Sequence, residues 1–314
     1  MKQKFFFLIL AIIAASISSN AQWTIVNQKG GPYVFSMILE DSTLIAGTQK
    51  GMEISTDGGR SWVKQMNSLE KNPIYSLHLD GGGVLYIGTT TGGYISKDYG
   101  KTLVPLKFNA AGRSENTVEV YDFFTSGSQI VCATNIGAYV SHNAGATWLK
   151  SGKEFDNNSI LEFTYFKNTL FAAVFGEGVF ASTDYGDTWT HTPLAEGHVT
   201  HLINDGKNIY TGTAGSGLFI SNDKGKTWKK ARDIRDDQYI YSFLAADGYL
   251  YAGTATGVLV SSNQGANWTE EPMGKNGVYS LVIKGSTLFA GTKGDGLWQR
   301  KALKKESGHQ KNKK

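Results

Sequence analysis

The chain repeats one octet six times, as STDGGRSW at Ser55–Trp62, SKDYGKTL at Ser96–Leu103, SHNAGATW at Ser141–Trp148, STDYGDTW at Ser182–Trp189, SNDKGKTW at Ser221–Trp228 and SSNQGANW at Ser261–Trp268. The spacings between successive starts are 41, 45, 41, 39 and 40 residues. A period of this length, in a chain rich in short β-type runs, is typical of propellers and solenoids. The octets therefore predict a repeat architecture for most of the chain.

Each octet has the composition of a tight turn between two strands. Ser, Asp and Asn bond to nearby backbone, and Gly tolerates positive φ. Apolar-alternating runs flank every copy. We expect the third residue to accept backbone N–H bonds within the turn, and the closing Trp to bury its ring against the neighbouring repeat. These predicted structural residues are Asp57, Asp98, Asn143, Asp184, Asp223, Asn263, Trp62, Trp148, Trp189, Trp228 and Trp268.

Each repeat contains four strand-like runs, and seven repeats begin although only six octets exist. The repeat that begins near Val278 has three runs and lacks a fourth. The missing run is found at Gln22–Gln28, where Trp23 opens a strand-like segment as a Trp does in most repeats. We predict that this segment completes the last blade beside Gly296–Arg300, which removes open sheet edges. The predicted fold is all-β, a single closed seven-bladed propeller over residues 22–300.

The first 21 residues have the pattern of a secretory signal peptide. Lys2 and Lys4 precede an apolar run over residues 5–17, and Ala21 follows a short polar segment. The run is short for a membrane span, although an uncleaved anchor is the alternative. We expect cleavage after Ala21 and an exported mature protein, periplasmic or extracellular, without a transmembrane anchor.

The only cysteine, Cys132, lies in the apolar run QIVCAT. A single cysteine excludes an internal disulfide even where export would permit one. Cys132 is far from the predicted cleavage site, which excludes a lipoprotein anchor. We expect it to be a small buried apolar residue.

Positive charge is concentrated at the C-terminus. The formal net charge is +4, of which Lys2 and Lys4 supply two, and the tail from residue 300 carries a net +6, which leaves the body near −4. The tail charges are those of Arg300, Lys301, Lys304, Lys305, Lys311, Lys313 and Lys314 against Glu306. We assign residues 301–314 to a basic, disordered tail that is either simply solvated or contacts an anionic lipid, polysaccharide or nucleic acid. Because the body lacks a basic stripe and export removes the usual partners, we expect no nucleic-acid partner for it.

Candidate chemistry lies at the start of each repeat, because the first strands of all blades converge on the propeller axis. One aligned position reads Ser36, Ser76, Asp122, Glu162, His201, Ser242 and Ser280. Asp122, Glu162 and His201 are neighbours around the channel and are the candidate catalytic residues, since two carboxylates and an imidazole can share a proton, bind a metal or act as acid and base. The alternative is a polar channel wall that holds water.

The position before this one is mostly aromatic. It reads Phe35, Tyr75, Tyr121, Leu161, Thr200, Tyr241 and Tyr279. We expect these side chains to pack between blades, and the alternative is that they line a mouth of the channel.

The connections between blades vary more than the blades, and loops on a rigid scaffold are frequent recognition sites. The insertion KFNAAGRSEN at 107–116 contains Arg113, and RDIRDDQY at 232–239 is rich in charge. The candidate binding residues are Arg113, Arg232, Arg235, Asp236 and Tyr239. The alternative is that both loops are merely solvated.

The octets resemble the Asp-box, S-x-D-x-G-x-x-W, of the sialidase-like (BNR-repeat) β-propeller families. The resemblance implies that the octets are structural turns remote from catalytic groups. It also implies a test, because sialidases bind a carboxylate substrate with three arginines and carry an RIP-type motif. The chain has only five arginines (Arg60, Arg113, Arg232, Arg235 and Arg300) and no RIP motif, and its repeats number seven where sialidases have six blades. Sialidase activity is therefore not expected, since a bidentate carboxylate clamp is hard to replace.

The closer resemblance is to non-catalytic members, namely the exported photosystem II stability/assembly-factor-like propellers and the propeller of sortilin. Photosynthetic function does not follow from it. Xyloglucanases share Asp-boxes and seven blades but place their carboxylates between two propellers. We predict an exported, monomeric, non-enzymatic propeller that binds an unknown protein or polysaccharide partner through its loops and axial face, without cofactor or metal. The alternative is a glycoside hydrolase that uses the axial carboxylates.

Overall fold

Seven four-stranded antiparallel sheets form a ring in the computed structural model. The structure describes residues 22–26, 31–108, 118–155, 158–194, 196–273 and 277–304. The innermost strands of neighbouring blades contact each other around the whole circle, including those of the first and last blades. The prediction of a single seven-bladed propeller is confirmed.

The first four blades each consist of four consecutive strands joined by hairpins. Their bounds are, in blade one, β2 (Val34–Glu40), β3 (Thr43–Thr48), β4 (Gly51–Ser55) and β5 (Val63–Lys64); in blade two, β6 (Ile74–Leu79), β7 (Leu85–Thr89), β8 (Gly92–Ser96) and β9 (Val104–Pro105); in blade three, β10 (Val120–Ser126), β11 (Gln129–Thr134), β12 (Gly137–Ser141) and β13 (Leu149–Ser151); and in blade four, β14 (Ile160–Phe166), β15 (Thr169–Val174), β16 (Gly178–Ser182) and β17 (Thr190–His191).

The last three blades follow the same plan, except that the outer strand of blade seven comes from the N-terminus. Their bounds are, in blade five, β18 (Val199–Asn204), β19 (Ile209–Thr213), β20 (Leu218–Ser221) and β21 (Lys229–Lys230); in blade six, β22 (Ile240–Ala246), β23 (Tyr249–Thr254), β24 (Gly257–Ser261) and β25 (Thr269–Pro272); and in blade seven, β26 (Val278–Lys284), β27 (Thr287–Thr292), β28 (Leu297–Lys301) and β1 (Thr24–Ile25). Within the described ranges, no helical segment has the length and apolar content needed to cross a bilayer. Residues 1–21, the predicted signal peptide, lie outside those ranges.

The core lies between adjacent blades and not within one sheet. The second strand of each blade is sandwiched on both faces, so it is almost wholly buried, as β11 and β15 show. One apolar cluster joins Val131 of blade three to Leu170 of blade four. Cys132 lies in a similar cluster, fully buried, where burial raises the pKa of its thiol. Its expected role as a small apolar core residue agrees with this position.

The octets are turns between the third and fourth strands, closed by side-chain hydrogen bonds. In the octet of blade four, the Ser182 hydroxyl donates to Asp184 Oδ1 at 2.7 Å, and the Gly186 N–H donates to Ser182 Oγ at 2.7 Å. Asp184 Oδ1 also accepts the Thr188 N–H at 2.9 Å. The equivalent bonds recur in the other five octets. The Ser and the Asp or Asn therefore act as structural parts of the turn.

Either Asp or Asn can occupy the third position of the octet, because the hydrogen bond between its side chain and that of the seventh residue can run in either direction. The Thr102 hydroxyl donates to Asp98 Oδ2 at 2.7 Å, whereas Asn143 Nδ2 donates to Thr147 Oγ1 at 2.8 Å. The hydroxyl and backbone N–H of Thr227 lower the pKa of Asp223 to about 2. The octet Trp rings pack against the preceding blade, as Trp189 does against blade three.

The two ends of the chain close the ring in blade seven. Thr24 pairs with Gln299 and Ile25 pairs with Trp298, and the Val26 N–H donates to the Leu297 carbonyl at 2.8 Å. Trp23 packs in the cluster formed by blades six and seven. The predicted completion of the last blade by the N-terminal strand is therefore present.

Arg300 is a structural residue of this closure, although its charge was counted above with those of the basic tail. Its side chain is buried, with Nε 2.8 Å from Glu271 Oε2. The guanidinium carbon lies 5.2 Å from the centroid of the Trp23 ring and 5.6 Å from that of Tyr251. Burial raises the pKa of Glu271 although Arg300 acts in the opposite direction. Arg300 therefore joins the outer strand of blade seven to blade six.

The propeller also extends beyond residue 300, where the sequence analysis placed its boundary. β28 includes Lys301, and Ala302 is buried with its N–H donating to the Ser286 carbonyl at 2.8 Å. Residues 301–304 thus belong to the folded body. Residues 305–314, the remainder of the predicted tail, lie outside the described residues.

We predict that Arg300→Met lowers the free energy of unfolding by about 3–5 kcal/mol, because it leaves the buried Glu271 carboxylate unpaired. The double variant Glu271→Leu/Arg300→Met is expected to recover most of that loss, since it removes both charges. Urea unfolding of the wild type, both single variants and the double variant completes a double-mutant cycle. Equal stability of Arg300→Met and the double variant would contradict the claim that the unpaired Glu271 carboxylate causes the loss.

Candidate functional site

The innermost strands bring seven equivalent side chains to a cavity of about 210 Å³ on the ring axis. Each is the third residue of its strand. They are the residues selected from the aligned repeat starts, namely Ser36, Ser76, Asp122, Glu162, His201, Ser242 and Ser280. The structure therefore places Asp122, Glu162 and His201 on one cavity, in three successive blades.

A β-bulge precedes this position in every blade. The pairing of the first strand with the second shifts register between residues one and three of the first strand, as between Val34 and Ser36. The residue at the bulge leaves the ladder, and a bulge commonly redirects a side chain. The bulge residue is aromatic in five blades (Phe35, Tyr75, Tyr121, Tyr241 and Tyr279).

These rings form a continuous arc at the mouth of the cavity. In spatial order, the aromatic arc consists of Tyr239, Tyr241, Tyr279, Phe35, Tyr75 and Tyr121, and the centroids of successive rings are 6.2, 4.7, 6.0, 5.5 and 5.6 Å apart. Four of the rings line the cavity itself. The rings at the bulges are only half-buried. The expectation that they pack in the core between blades is wrong, because the bulges turn them over the axis.

The axial carboxylates are hydrogen-bonded to the next blade. Asp122 Oδ2 accepts the N–H of Phe163 at 2.8 Å, and Glu162 Oε2 accepts the N–H of Leu202 at 2.5 Å. Ser36 Oγ makes the equivalent bond in blade one, accepting the N–H of Leu77 at 3.0 Å. Each of these side chains therefore ties its own innermost strand to the innermost strand that follows.

The remaining axial side chains bond mainly to carbonyl groups of the next blade. His201 Nδ1 lies 3.2 Å from the Ile240 carbonyl oxygen, and the hydroxyls of Ser242 and Ser280 donate to Val278 and Val34 at 3.2 and 3.4 Å. Because a carbonyl only accepts, Nδ1 of His201 must carry the proton, which leaves Nε2 as the acceptor of the neutral ring. Ser76 Oγ is buried and has no hydrogen-bond partner among the described residues.

Burial favours the neutral form of Asp122, Glu162 and His201, the three titratable axial residues. It raises the pKa of Asp122 to about 7, although the N–H groups of Phe163 and Phe123 act in the opposite direction. Burial and then the charge of Asp122 raise the pKa of Glu162 well above its ordinary range. Burial lowers the pKa of His201 to about 4. The cavity therefore holds carboxyl groups that are readily protonated and an imidazole that is neutral near pH 7.

The three residues do not form a metal centre. Within the described part of the chain, no group of three or more His, Cys, Asp and Glu side chains is placed to hold a metal ion. Asp122, Glu162 and His201 are directed toward the backbones of blades four, five and six respectively. They share a cavity wall without converging on one point.

A sequence signal accompanies the two carboxylates. The residue that faces the axial position from the second strand is Ala133 opposite Asp122 and Ala173 opposite Glu162, but Gly in the other five blades. A Cβ at Gly253 would overlap the hydroxyl of Ser242. The longer carboxylates reach across to the next blade, which leaves space for an Ala methyl group. Ala in place of Gly at this position is therefore a sequence signal that distinguishes the two blades with an axial carboxylate from the other five.

The loop candidates are divided between the arc and the solvent. Tyr239 is 46% exposed and is the end of the aromatic arc, where it bridges to Ala214. Arg235 is held by Gln238 Oε1 at 2.9 Å, and Asp236 pairs with Lys230 at 2.5 Å. Arg232 is exposed, and Arg113 lies outside the described residues. Of the candidates that the structure describes, only Tyr239 joins the axial site.

We predict that Asp122→Asn flattens part of the pH dependence of stability. The carboxyl group has an ordinary pKa of 3.8 and a folded pKa of about 7, so between these values the folded state binds more protons. Relative to Asp122→Asn, the wild type should therefore lose stability as pH rises from about 4 to about 7, by up to about 4 kcal/mol.

Urea unfolding at several pH values measures this difference, with Asp237→Asn, the same change at an exposed carboxylate, as the control. The amide that replaces the Asp122 carboxylate still offers an oxygen to the Phe163 N–H, so the variant should fold. A wild-type curve parallel to that of Asp122→Asn would contradict the raised pKa.

Comparisons with known proteins support the fold. Residues 109–239, which include the first strands of blades three to five, match the family described as the DUF6242 beta propeller domain. No curated protein sequence matches the chain.

Solved structures with similar folds differ in what they do. A structure of YCF48 bound to D1 peptide is 11% identical, with 91% of this chain and 96% of that chain covered and a TM-score of 0.68. The extracellular domain of a putative hybrid two component system from B. thetaiotaomicron is 14% identical, with coverage of 91% and 43% and a TM-score of 0.75. A GH74 xyloglucanase from Xanthomonas campestris is 15% identical, with coverage of 90% and 54% and a TM-score of 0.68. At these identities the likeness shows the fold alone.

Proposed function

We propose that this protein is a non-enzymatic binding propeller that recognises an extended segment of a polypeptide across its axial face. The observation that carries the proposal is that the titratable side chains and the aromatic side chains of the axial face make different contacts. The titratable side chains are engaged with the backbone of the next blade, whereas the aromatic arc above them remains half-exposed.

The chemistry of the arc suits protein recognition. Tyr and other aromatic residues combine large apolar area with a polar edge, and they are enriched at the centres of protein interfaces. The arc spans blades six, seven, one, two and three, with Tyr239 in the connection that leads from blade five, so a bound segment would contact several blades at once. The structure of YCF48 bound to D1 peptide is a precedent for peptide binding on this fold.

The alternative is a glycoside hydrolase, which the raised pKa values of Asp122 and Glu162 favour because a general acid must be protonated near neutral pH. The GH74 enzyme is a precedent on this fold, although this chain covers only 54% of its length. Against it stand the bonds from Phe163 and Leu202 that hold both carboxylates toward the ring wall. The cavity of about 210 Å³ is also smaller than the ~300–1,000 Å³ of clefts that enclose small-molecule ligands.

We further propose that the propeller is a monomer and that it acts outside the cytoplasm. The second part rests on the first 21 residues, which have the pattern of a signal peptide. Expression of the full sequence with its own N-terminus should deliver a protein that begins at Gln22 to the exported fraction. N-terminal sequencing and size-exclusion chromatography of that fraction provide the measurement. Retention of residues 1–21 on a membrane-bound product would contradict the proposal.

We predict that a peptide-display library selected on the wild type yields peptides whose binding depends on the aromatic arc. Tyr241→Ala/Tyr279→Ala should weaken the selected peptides at least tenfold, because it removes the two rings that stack at 4.7 Å. Tyr241→Phe/Tyr279→Phe keeps the rings and should retain binding. Fluorescence anisotropy with labelled peptides measures each affinity.

The matched control is Tyr185→Ala, which removes a tyrosine 39% exposed in the octet of blade four, away from the arc. Selected peptides that respond equally to this control and to the arc variant would contradict recognition at the axial face. Hydrolysis of a glycan panel that is lost in Glu162→Gln would support the hydrolase instead.

A further inference from the structure

The axial cavity is acidic in composition and aromatic at its mouth. Its lining includes Asp122 and Glu162, and no residue of that lining is Lys or Arg. Tyr121 donates its hydroxyl to Glu119 Oε2 at 2.8 Å, which adds a third carboxylate at the rim. Buried carboxyl groups without a cationic partner are costly, and they respond by becoming protonated.

Hydrogen-bonding capacity is left unused inside this cavity. Each axial carboxylate accepts the N–H of the next blade with one oxygen, and His201 uses Nδ1 for its bond to Ile240, so the second carboxylate oxygens and Nε2 of His201 take no part in those bonds. The Ser76 hydroxyl is more than nine-tenths buried and lacks a hydrogen-bond partner among the described residues. Acceptors of this kind, placed beneath aromatic faces, are complementary to a cation that carries N–H donors.

The size of the cavity limits the occupant. A volume of about 210 Å³ lies below the ~300–1,000 Å³ of clefts that enclose drug-sized ligands. One extended side chain is therefore a better match than a sugar ring with its neighbours. An aliphatic stem could pass between the rings while its charged end reaches the carboxylates.

We propose that the axial cavity receives one basic side chain, lysine or arginine, of the polypeptide that binds the aromatic arc. This inference rests on the proposed function and names the residue class that the face would select. The ring faces of the arc attract the cation, and Asp122 and Glu162 offset its loss of water. Glutamate and aspartate side chains are excluded by the same carboxylates.

The protein's own basic tail is not the expected occupant. The aromatic arc lies where the first strands begin. β28, the third strand of blade seven, runs parallel to the first strand β26 and ends on the opposite face of the ring. The described chain therefore leaves the propeller on the face away from the cavity mouth, and the proposal commits to a basic side chain of a partner.

The proposal makes binding depend on pH. The titratable groups that face the cavity or its rim are Asp122, Glu162, His201, Tyr75, Tyr121, Tyr279 and Glu119, and Cys132 is close enough to be affected by Asp122. A cation favours the ionised carboxylates, so it should displace protons from Asp122 and Glu162 on binding. Affinity for a basic side chain should therefore rise from about pH 6 to about pH 8.5, a range in which lysine and arginine remain charged.

The test uses four small probes and NMR. n-Butylammonium and n-butylguanidinium represent the ends of lysine and arginine, and 1-butanol and butyrate are the neutral and anionic controls. The reporters are the ¹⁵N–¹H signals of Phe163 and Leu202, whose N–H groups donate to the two carboxylates. Both cations should shift these signals with dissociation constants in roughly the millimolar range at about pH 8, as expected for ligands of so few atoms.

Matched variants locate the site. Glu162→Gln keeps an oxygen for the Leu202 N–H but removes the charge, and it should weaken n-butylammonium at least tenfold. Glu177→Gln makes the same change at an exposed turn and should leave binding unaltered. Equal affinity for 1-butanol, tighter binding of butyrate, or no shift of the two reporters by either cation would overturn the inference.

The cation-binding test and the peptide selection can fail independently of each other. Peptides that bind the arc without any requirement for a basic residue, tested by replacing each lysine or arginine with norleucine, would leave the binding function intact and overturn the basic-residue inference. Cation binding in the absence of any selected peptide would support the cavity's preference and count against the polypeptide partner.

Discussion

The pairing of the two chain ends is the constraint on which the rest of the structure depends. β1 contributes only two residues to blade seven, Thr24 and Ile25, and both are exposed. The strand is paired by two ladder pairs and followed by the bond from the Val26 N–H to the Leu297 carbonyl. The closure is strengthened by Trp23, whose ring lies over the buried Arg300 guanidinium, and by the ion pair of Arg300 with Glu271 of blade six. Without them blade seven would present β28 as an open edge.

Closure has a chemical consequence at the centre of the ring. It forces seven equivalent positions into one small cavity, where each side chain lies beside the backbone of the next blade. Asp122 and Glu162 use that proximity to accept N–H groups, and Ser242 uses it to donate to a carbonyl. The same residues therefore join neighbouring blades and line the cavity. A ring with another number of blades would change both the bonds and the size of the cavity.

The repeat could be predicted from the sequence because the octets form local turns. The hydrogen bonds of these turns join residues that are close in sequence, so they do not depend on distant parts of the chain. The axial positions could also be predicted, since an aligned repeat start lies at one radius in every blade. The role of Arg300 could not, because its partners Trp23 and Glu271 are remote in sequence and its lysine neighbours resemble a solvated tail. The orientation of Tyr241 and Tyr279 could not be predicted, because it is set by β-bulges. A run of alternating apolar and polar residues does not show where a bulge occurs.

The geometry of the carboxylates favours recognition over proton transfer. A general acid must deliver its proton to a substrate atom, and a nucleophile must approach one, so both need an oxygen that moves freely or points into a cleft. An N–H group of the next blade fixes one oxygen of Asp122 and one of Glu162, so each carboxylate has a single oxygen left for contact with a ligand and little freedom to reorient. A fixed carboxylate in a small aromatic cavity can still change its charge state in response to a bound cation. That response requires only a change in protonation and leaves the hydrogen bonds that hold the ring together in place.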